Sequence, residues 1–381
     1  MKVYLDNAAT TPLLPEVFEA MAPVLKEQFG NPSSTHSFGR TSKSLIETSR
    51  RKVAQYLNAK PAEILFTSGG TEADNTAILT AIRDLGVKRI ITSEVEHHAV
   101  LHTSQYYKET KNIEIEYVKL NAKGHVDLQE LEKMLGKSNE KTLVSLMHAN
   151  NEIGTLLPLE KVGEICKENK ALFHSDTVQT MGHYAFDVQK LNVDFLTCGA
   201  HKLHGPKGVG FLYINKNLKL SPVIHGGSQE RGMRGGTENI YGIVGLAKAM
   251  ELAYEELSEH QKYIRSLKDY MIDELQKTFS NSVKFNGDTS QENSLYTVLN
   301  VSLPPSEKSD MLLFTLDLKG IACSGGSACS SGSTKGSHVL AAIGADMSRP
   351  NVRFSFSRLN NTKEIDYVVE TIKNAYQKEI V

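Results

Sequence analysis

A chain of 381 residues is longer than one hydrophobic core usually serves, and 40% hydrophobic with 23% charged residues describes an ordinary globule of two domains, or one large α/β domain with an appendage. Lys and Arg number 43 against 44 Asp and Glu, a formal net charge of -1, which gives no broad electrostatic reason to bind nucleic acid or an anionic membrane surface. The expected partners are small molecules or specific proteins.

The opening segment, MKVYLDNAATTPLLPEV, has no basic stretch followed by an apolar run and a small-residue cleavage site, and no run of about 18 apolar residues occurs. A cytoplasmic protein without membrane contact is the expectation. The four cysteines, Cys166, Cys198, Cys323 and Cys329, are too irregularly spaced in so long a chain for a disulfide framework.

From about residue 60 to 215, short β-branched or apolar runs alternate with stretches of helical period, the pattern of a mostly parallel sheet covered by helices on both faces. Strands are predicted over 63–67, 89–92, 113–118, 142–147, 171–174, 195–198 and 208–214, with helices over 72–85 and 159–169 among those between them. One long helix is predicted over 240–279, suited to linking two domains. Beyond it a strand over 295–303, a helix over 310–317, a strand over 351–357 and an amphipathic helix over 362–375 describe a smaller α+β domain. The boundaries expected are 14–255 for the large domain, with 1–13 and 256–381 forming the small one.

The first chemical feature is EILFTSGGTEADNTAIL, which sets Ser68, Gly69, Gly70 and Thr71 between a strand and a helix. Backbone N–H groups at a helix start, small residues and a hydroxyl make an anion site, phosphate above all, although such glycines often serve only the turn. In FHSDTVQ, Asp176 and Gln179 fall at the carboxyl edge of the sheet, where open α/β folds keep their ligands. An acid there pairs with a protonated heterocyclic nitrogen, or caps a following helix; position alone leaves both open.

In CGAHKLHGPKG, Lys202 sits in a turn of small residues and histidines at the same edge, a better candidate for a desolvated Schiff-base amine than for a solvated surface group. His97 and His98 begin a helix; adjacent histidines do not share a metal-ligand face, so a stacking and proton-moving imidazole is expected and no metal. Cys329 stands in SGGSACSSGSTKGS, too polar and Gly-rich to bury a structural cysteine, as expected of a nucleophile that meets both a substrate and an acceptor.

These residues, with YLDNAATTP, GNPSSTH, EHHAV, HANNEIG, HGGSQERGMRGGTEN, GSACSSGS and VRFSFSR in one order, make the chain resemble the class V aminotransferase family, and more closely its cysteine desulfurases of the NifS/IscS type. The resemblance implies fold type I of the pyridoxal 5'-phosphate (PLP) enzymes, a homodimer, L-cysteine as substrate, and an iron-sulfur scaffold or thiolation acceptor as sulfur recipient. It implies that Lys202 bonds the cofactor, His97 stacks on its ring, Asp176 pairs with the ring nitrogen, and Asn151 and Gln179 hold the ring side. Gly70, Thr71 and His201 would hold the phosphate with Thr237 of the other subunit, Arg353 and Asn151 would bind the substrate carboxylate, and Cys329 would carry the persulfide. Gly199 departs from the family by replacing a usual phosphate-binding serine, and Cys323 is an extra thiol, either a buried strand residue or a resolving partner of Cys329. A selenocysteine lyase, another class V aminotransferase, or a non-catalytic docking scaffold are the alternative readings.

Overall fold

The structure is a computed structural model that describes residues 1–306, 311–325 and 336–377. The predicted nucleophile Cys329 lies outside the described residues.

The chain begins with β1 (Val3–Tyr4) and crosses to α1 (Pro15–Glu27), where Pro15 takes the first-turn position at which a missing N–H costs nothing. Helix α2 (Ser37–Tyr56) follows, capped by the His36 ring, which accepts from the Gly39 N–H. Seven strands then form the central sheet: β2 (Ile64–Thr67), β3 (Arg89–Thr92), β4 (Glu114–Tyr117), β5 (Thr142–Ser145), β6 (Leu172–Asp176), β7 (Phe195–Gly199) and β8 (Gly210–Ile214). Helices α3 (Gly70–Arg83), α4 (His98–Lys111), α5 (Leu128–Gly136) and α6 (Leu159–Glu168) fall between them.

The strand order is β2-β8-β7-β6-β5-β3-β4, parallel throughout except for β8, which runs antiparallel to both neighbours. Every residue of β2, β3, β5 and β7 is buried, as continuous apolar strands with both faces covered require. The predicted strands are all present, most ending a residue or two from the expected limits. The α/β class with a mostly parallel sheet between helices is therefore the observed architecture.

The predicted 240–279 helix is two: α7 (Ile240–Glu255) and α8 (Leu257–Phe279), separated at Glu256 by φ -120° and ψ 29°. The break has a packing cause. Ile243, Leu246 and Met250 of α7 join the core beneath the large sheet, whereas Ile264, Leu267, Met271 and Leu275 of α8 join a second core, so one straight axis cannot serve both.

That second core lies under a three-stranded antiparallel sheet of β9 (Lys284–Asn286), β10 (Val298–Ser302) and β12 (Asn351–Ser355), in the order β12-β10-β9. With it pack α9 (Leu312–Leu318), β11 (Ile321–Ala322), α10 (His338–Ala342) and α11 (Thr362–Gln377). Strand β1 pairs with β11, Val3 opposite Ile321, so the N-terminus is sewn to the C-terminal part before it runs to the large sheet. There the Thr11 N–H donates to the His201 carbonyl at 2.9 Å. Among the described residues no helix is long and apolar enough to cross a membrane.

Candidate active site

Strands β2, β3, β5, β6 and β7 end on one edge of the sheet, and the segments that follow them surround a cavity of about 430 Å³. Its wall includes Gly70, Thr71, His97, Asn151, Asp176, Gln179 and His201, so the expected cofactor residues on separate segments meet at one place.

At one side, Gly69 (φ 153°, ψ -176°) adopts a backbone conformation essentially confined to glycine, and turns the chain from β2 into α3. Gly70 is needed for closeness instead: a Cβ there would come within 2.7 Å of Val178 Cγ2. Gly70 and Thr71 thus put the start of α3, where the first N–H groups of a helix lack intrahelical partners, at the cavity wall. A Cβ on Gly199 would lie 3.6 Å from both the Gly70 nitrogen and His201 Cδ2 and 3.7 Å from Val178 Cγ1, so the position of the missing serine faces the same cradle and takes a Cβ at ordinary contact distances. His201 Nδ1 is 3.1 Å from Thr10 Oγ1, and burial pushes its imidazole down to about 4, keeping it neutral.

Asp176 closes β6 with 6% of its surface exposed, and its Oδ1 accepts from the Val178 N–H at 2.9 Å. It caps a turn, and no helix follows it. Burial and the nearby Asp74 carboxyl raise it to about 6, partly opposed by His97. A cation against Asp176 would be strongly held, which is what a pyridinium needs. His97 is the N-cap of α4, its Nδ1 accepting from the Ala99 N–H at 3.2 Å, and burial lowers its pKa. A neutral imidazole with Nδ1 as acceptor carries its proton on Nε2.

Lys202 ends the short 3₁₀ turn Ala200–Lys202 after β7, half-buried, and its Nζ donates to the carbonyls of Ala8 at 2.5 Å and Ala9 at 2.7 Å. Gln179 Nε2 donates to the same Ala8 carbonyl at 3.1 Å, which brings the two expected cofactor contacts together through the N-terminal segment.

Arg353 of β12 is 1% exposed: Nη1 donates to the Asn151 carbonyl at 2.9 Å and Nη2 to Asp6 Oδ1 at 2.8 Å, while Nε is buried without a partner among the described residues. The fork is placed beside Asn151, as its expected role needs, but it is already engaged by Asp6. Thr237 is exposed in a different cleft with Ser68, Gly208 and Arg234, and is not in the cavity of its own chain.

Cys166 and Cys198 are buried with thiol pKa values pushed up by burial, as expected of inert cysteines. Cys323 packs against the second core, and burial, with the Asp6 charge, pushes its thiol up to about 12. A thiol so held stays protonated near neutrality, but Cys323 is only partly buried and follows β11 instead of lying within it, unlike the buried strand residue expected.

Three buried groups beside the cavity escape the sequence reading: Asp74, Glu96 and His174, which are 1%, 1% and 0% exposed. Asp74 lines the cavity and follows Gly70 by four residues, one helical turn on the same face. That spacing is the signal the sequence offers. An acid near a helix start otherwise reads as dipole compensation.

PLP fits these residues: a glycine-lined cradle with neutral His201 for the phosphate, a buried acid for the ring nitrogen, an imidazole at the wall, and an amine on the adjoining turn. The family model for Aminotransferase class-V matches residues 3–368. The chain is 46% identical to the cysteine desulfurase IscS of Dictyoglomus turgidum over 99% of its own length and 95% of that protein's. Among solved structures, a NifS-like protein aligns at a TM-score of 0.90 with 40% identity, over 98% of this chain and 99% of that one. A further structure, described as SspA in complex with cysteine, aligns at 0.81 with 33% identity over 93% and 99% of the two chains. The chain belongs to the class-V aminotransferase family and, within it, to the PLP-dependent cysteine desulfurases.

Proposed function

We propose that this protein removes sulfur from L-cysteine, yielding L-alanine and a persulfide on Cys329 for transfer to an acceptor. The observation that carries the reading is the convergence of the Asp176, His97 and Lys202 segments, with the Gly70 cradle, around one cavity at the carboxyl edge of the sheet. The related protein solved with cysteine supports the choice of substrate.

PLP, when bound, supplies an electron sink for an amino acid that has lost its α-proton. The residues of the chain supply the rest. Lys202 would hold the cofactor, and its amine, when free, could take the substrate α-proton. Asp176, as an anion, would pair with the protonated ring nitrogen, and His97 would face the ring and could move protons from Nε2. Gly70, Thr71 and His201 hold the phosphate, Gln179 and Asn151 the ring side. Arg353 orients the substrate carboxylate with Asn151. The Cys329 thiolate attacks the substrate sulfur: an S–S bond forms, the C–S bond breaks, and its electron pair stays with the carbon fragment that takes up protons to become alanine.

The two separate cores support the division into 14–255, and 1–13 with 256–381. A homodimer is supported by Thr237 lying outside its own cavity and by exposed Phe18, Leu25, Phe29 and Phe38. An iron-sulfur scaffold as acceptor follows the name of the Dictyoglomus relative, and a cytoplasmic location fits the sequence. Incubating the PLP-loaded protein with L-cysteine and a thiol reductant tests the reading: alanine and sulfide in equal amounts are expected. 3-Mercaptopyruvate with no sulfide released would mean transamination, and pyruvate with ammonia would mean β-elimination; either in place of alanine would overturn it.

A further inference from the structure

Asp74 has no role in the reading above, yet it lines the same cavity, and one of its carboxylate oxygens lies within 4.8 Å of both an Asp176 oxygen and a His97 ring nitrogen. Its Oδ1 is buried without a hydrogen bond among the described residues, although it is 3.3 Å from His174 Nε2. His174 does not supply a cation: it is fully buried between Ser145 Oγ at 2.8 Å and Thr197 Oγ1 at 3.2 Å, and burial pushes it down to about 4. Glu96 faces the same group and is an acid too, accepting through Oε1 from Ser93 and the Met147 N–H while Oε2 has no partner. An ionised Asp74 would be an unpaired buried charge beside a second carboxylate, an arrangement that takes up a proton instead.

We propose that Asp74 is a positioning residue acting through Asp176: the two carboxyls share one proton at neutral pH, held on Asp74, so that Asp176 is the single anion presented to the ring nitrogen. The division between them follows from their surroundings. Asp176 has the Val178 N–H and the His97 ring to stabilise its charge, whereas among the described residues Asp74 has the Thr197 hydroxyl and neutral His174. Burial raises Asp74 to about 7 and Glu96 to about 8, against about 6 for Asp176, the same order. The pair titrates as a unit.

The inference rests on PLP as the cofactor but not on cysteine as the substrate, so its test uses the absorbance of bound PLP. The holoenzyme, Asp74→Asn and Asp74→Ala are titrated from about pH 6 to 9 and their PLP affinities measured. At about pH 6.5 position 74 is neutral in the protein and in Asp74→Asn, and PLP affinities within about threefold are expected. As pH rises, only the unsubstituted protein gains a second negative charge by the ring, which holds the proton of the Lys202 linkage longer. Its absorbance midpoint should lie above that of Asp74→Asn by roughly half a unit or more. Asp74→Ala, which also opens a gap, should share the lowered midpoint.

A loss of PLP affinity of about tenfold or more in Asp74→Asn at that pH would show that the site uses a charge at 74, and would overturn the proposal. Coincident midpoints in the three proteins would overturn it as well, leaving Asp74 a packing residue. A protein that titrates as expected but forms no alanine would sink the desulfurase reading and leave this one standing.

Discussion

Arg353 Nη2 donates to Asp6 Oδ1 at 2.8 Å, an ion pair that joins β12 to the N-terminal segment behind Asn151, which lines the cavity and whose carbonyl accepts from Arg353 Nη1. Ser324 Oγ donates to the same Asp6 oxygen at 2.8 Å, and Ser324 exchanges backbone hydrogen bonds with Arg353. The guanidinium is thus held from two sides, and its orientation depends on Asp6.

Replacing Asp6 by Asn should loosen that hold without removing the cation. KM for L-cysteine is expected to rise by about three- to tenfold, with the absorbance of bound PLP unchanged, and Arg353→Lys, which loses the planar fork, should raise it further. Steady-state kinetics of the two variants check this. An unchanged KM in Arg353→Lys would remove Arg353 from substrate binding.

Gly199 has φ -123° and ψ 119°, a conformation any residue adopts, and a side chain there has room toward the Gly70 nitrogen. Gly199→Ser should therefore restore a phosphate hydroxyl and tighten PLP binding by about three- to tenfold, one ordinary hydrogen bond. Gly70→Ala should do the reverse, since its methyl group meets Val178, and weaken PLP by tenfold or so. Equilibrium dialysis of PLP against the apoenzymes measures both.

His148 Nδ1 lies 2.9 Å from Thr180 Oγ1, its ring packs edge-on to Tyr184 and Phe186, and burial pushes it down to about 3. Unfolding frees it to take a proton near pH 6.5, so the stability it contributes is present in full above that pH. This contribution is lost as pH falls toward the folded value, at up to about 1.4 kcal/mol per unit. In urea unfolding of the holoenzyme at a series of pH values, His148→Gln should lose stability less steeply than the unsubstituted protein between about pH 6.5 and 4. Equal slopes would contradict the buried neutral imidazole.

Much of the site was legible because its residues sit at the ends of strands, and strand ends in an α/β alternation map to one edge whatever the side-chain detail. Gly70, Asp176 and Lys202 are of that kind. Asp74 was not legible, because burial on the inner face of α3 is a tertiary fact and its sequence neighbours Glu72 and Asn75 look equally polar. Nor was the Arg353–Asp6 pair, whose members are 347 residues apart and meet only because β1 pairs with β11 and Asp6 then bridges to β12. The break at Glu256 carried no Gly or Pro to announce it; it follows from α7 and α8 belonging to different cores.

The central claim is that sulfur passes from L-cysteine to Cys329, and intact-protein and peptide mass spectrometry after brief exposure of the holoenzyme to L-cysteine tests it directly. A gain of one sulfur atom confined to the peptide containing Cys329, and absent in Cys329→Ser, is the expected result. Sulfur found on Cys323 instead, or alanine and sulfide formed at an undiminished rate by Cys329→Ser, would contradict the account.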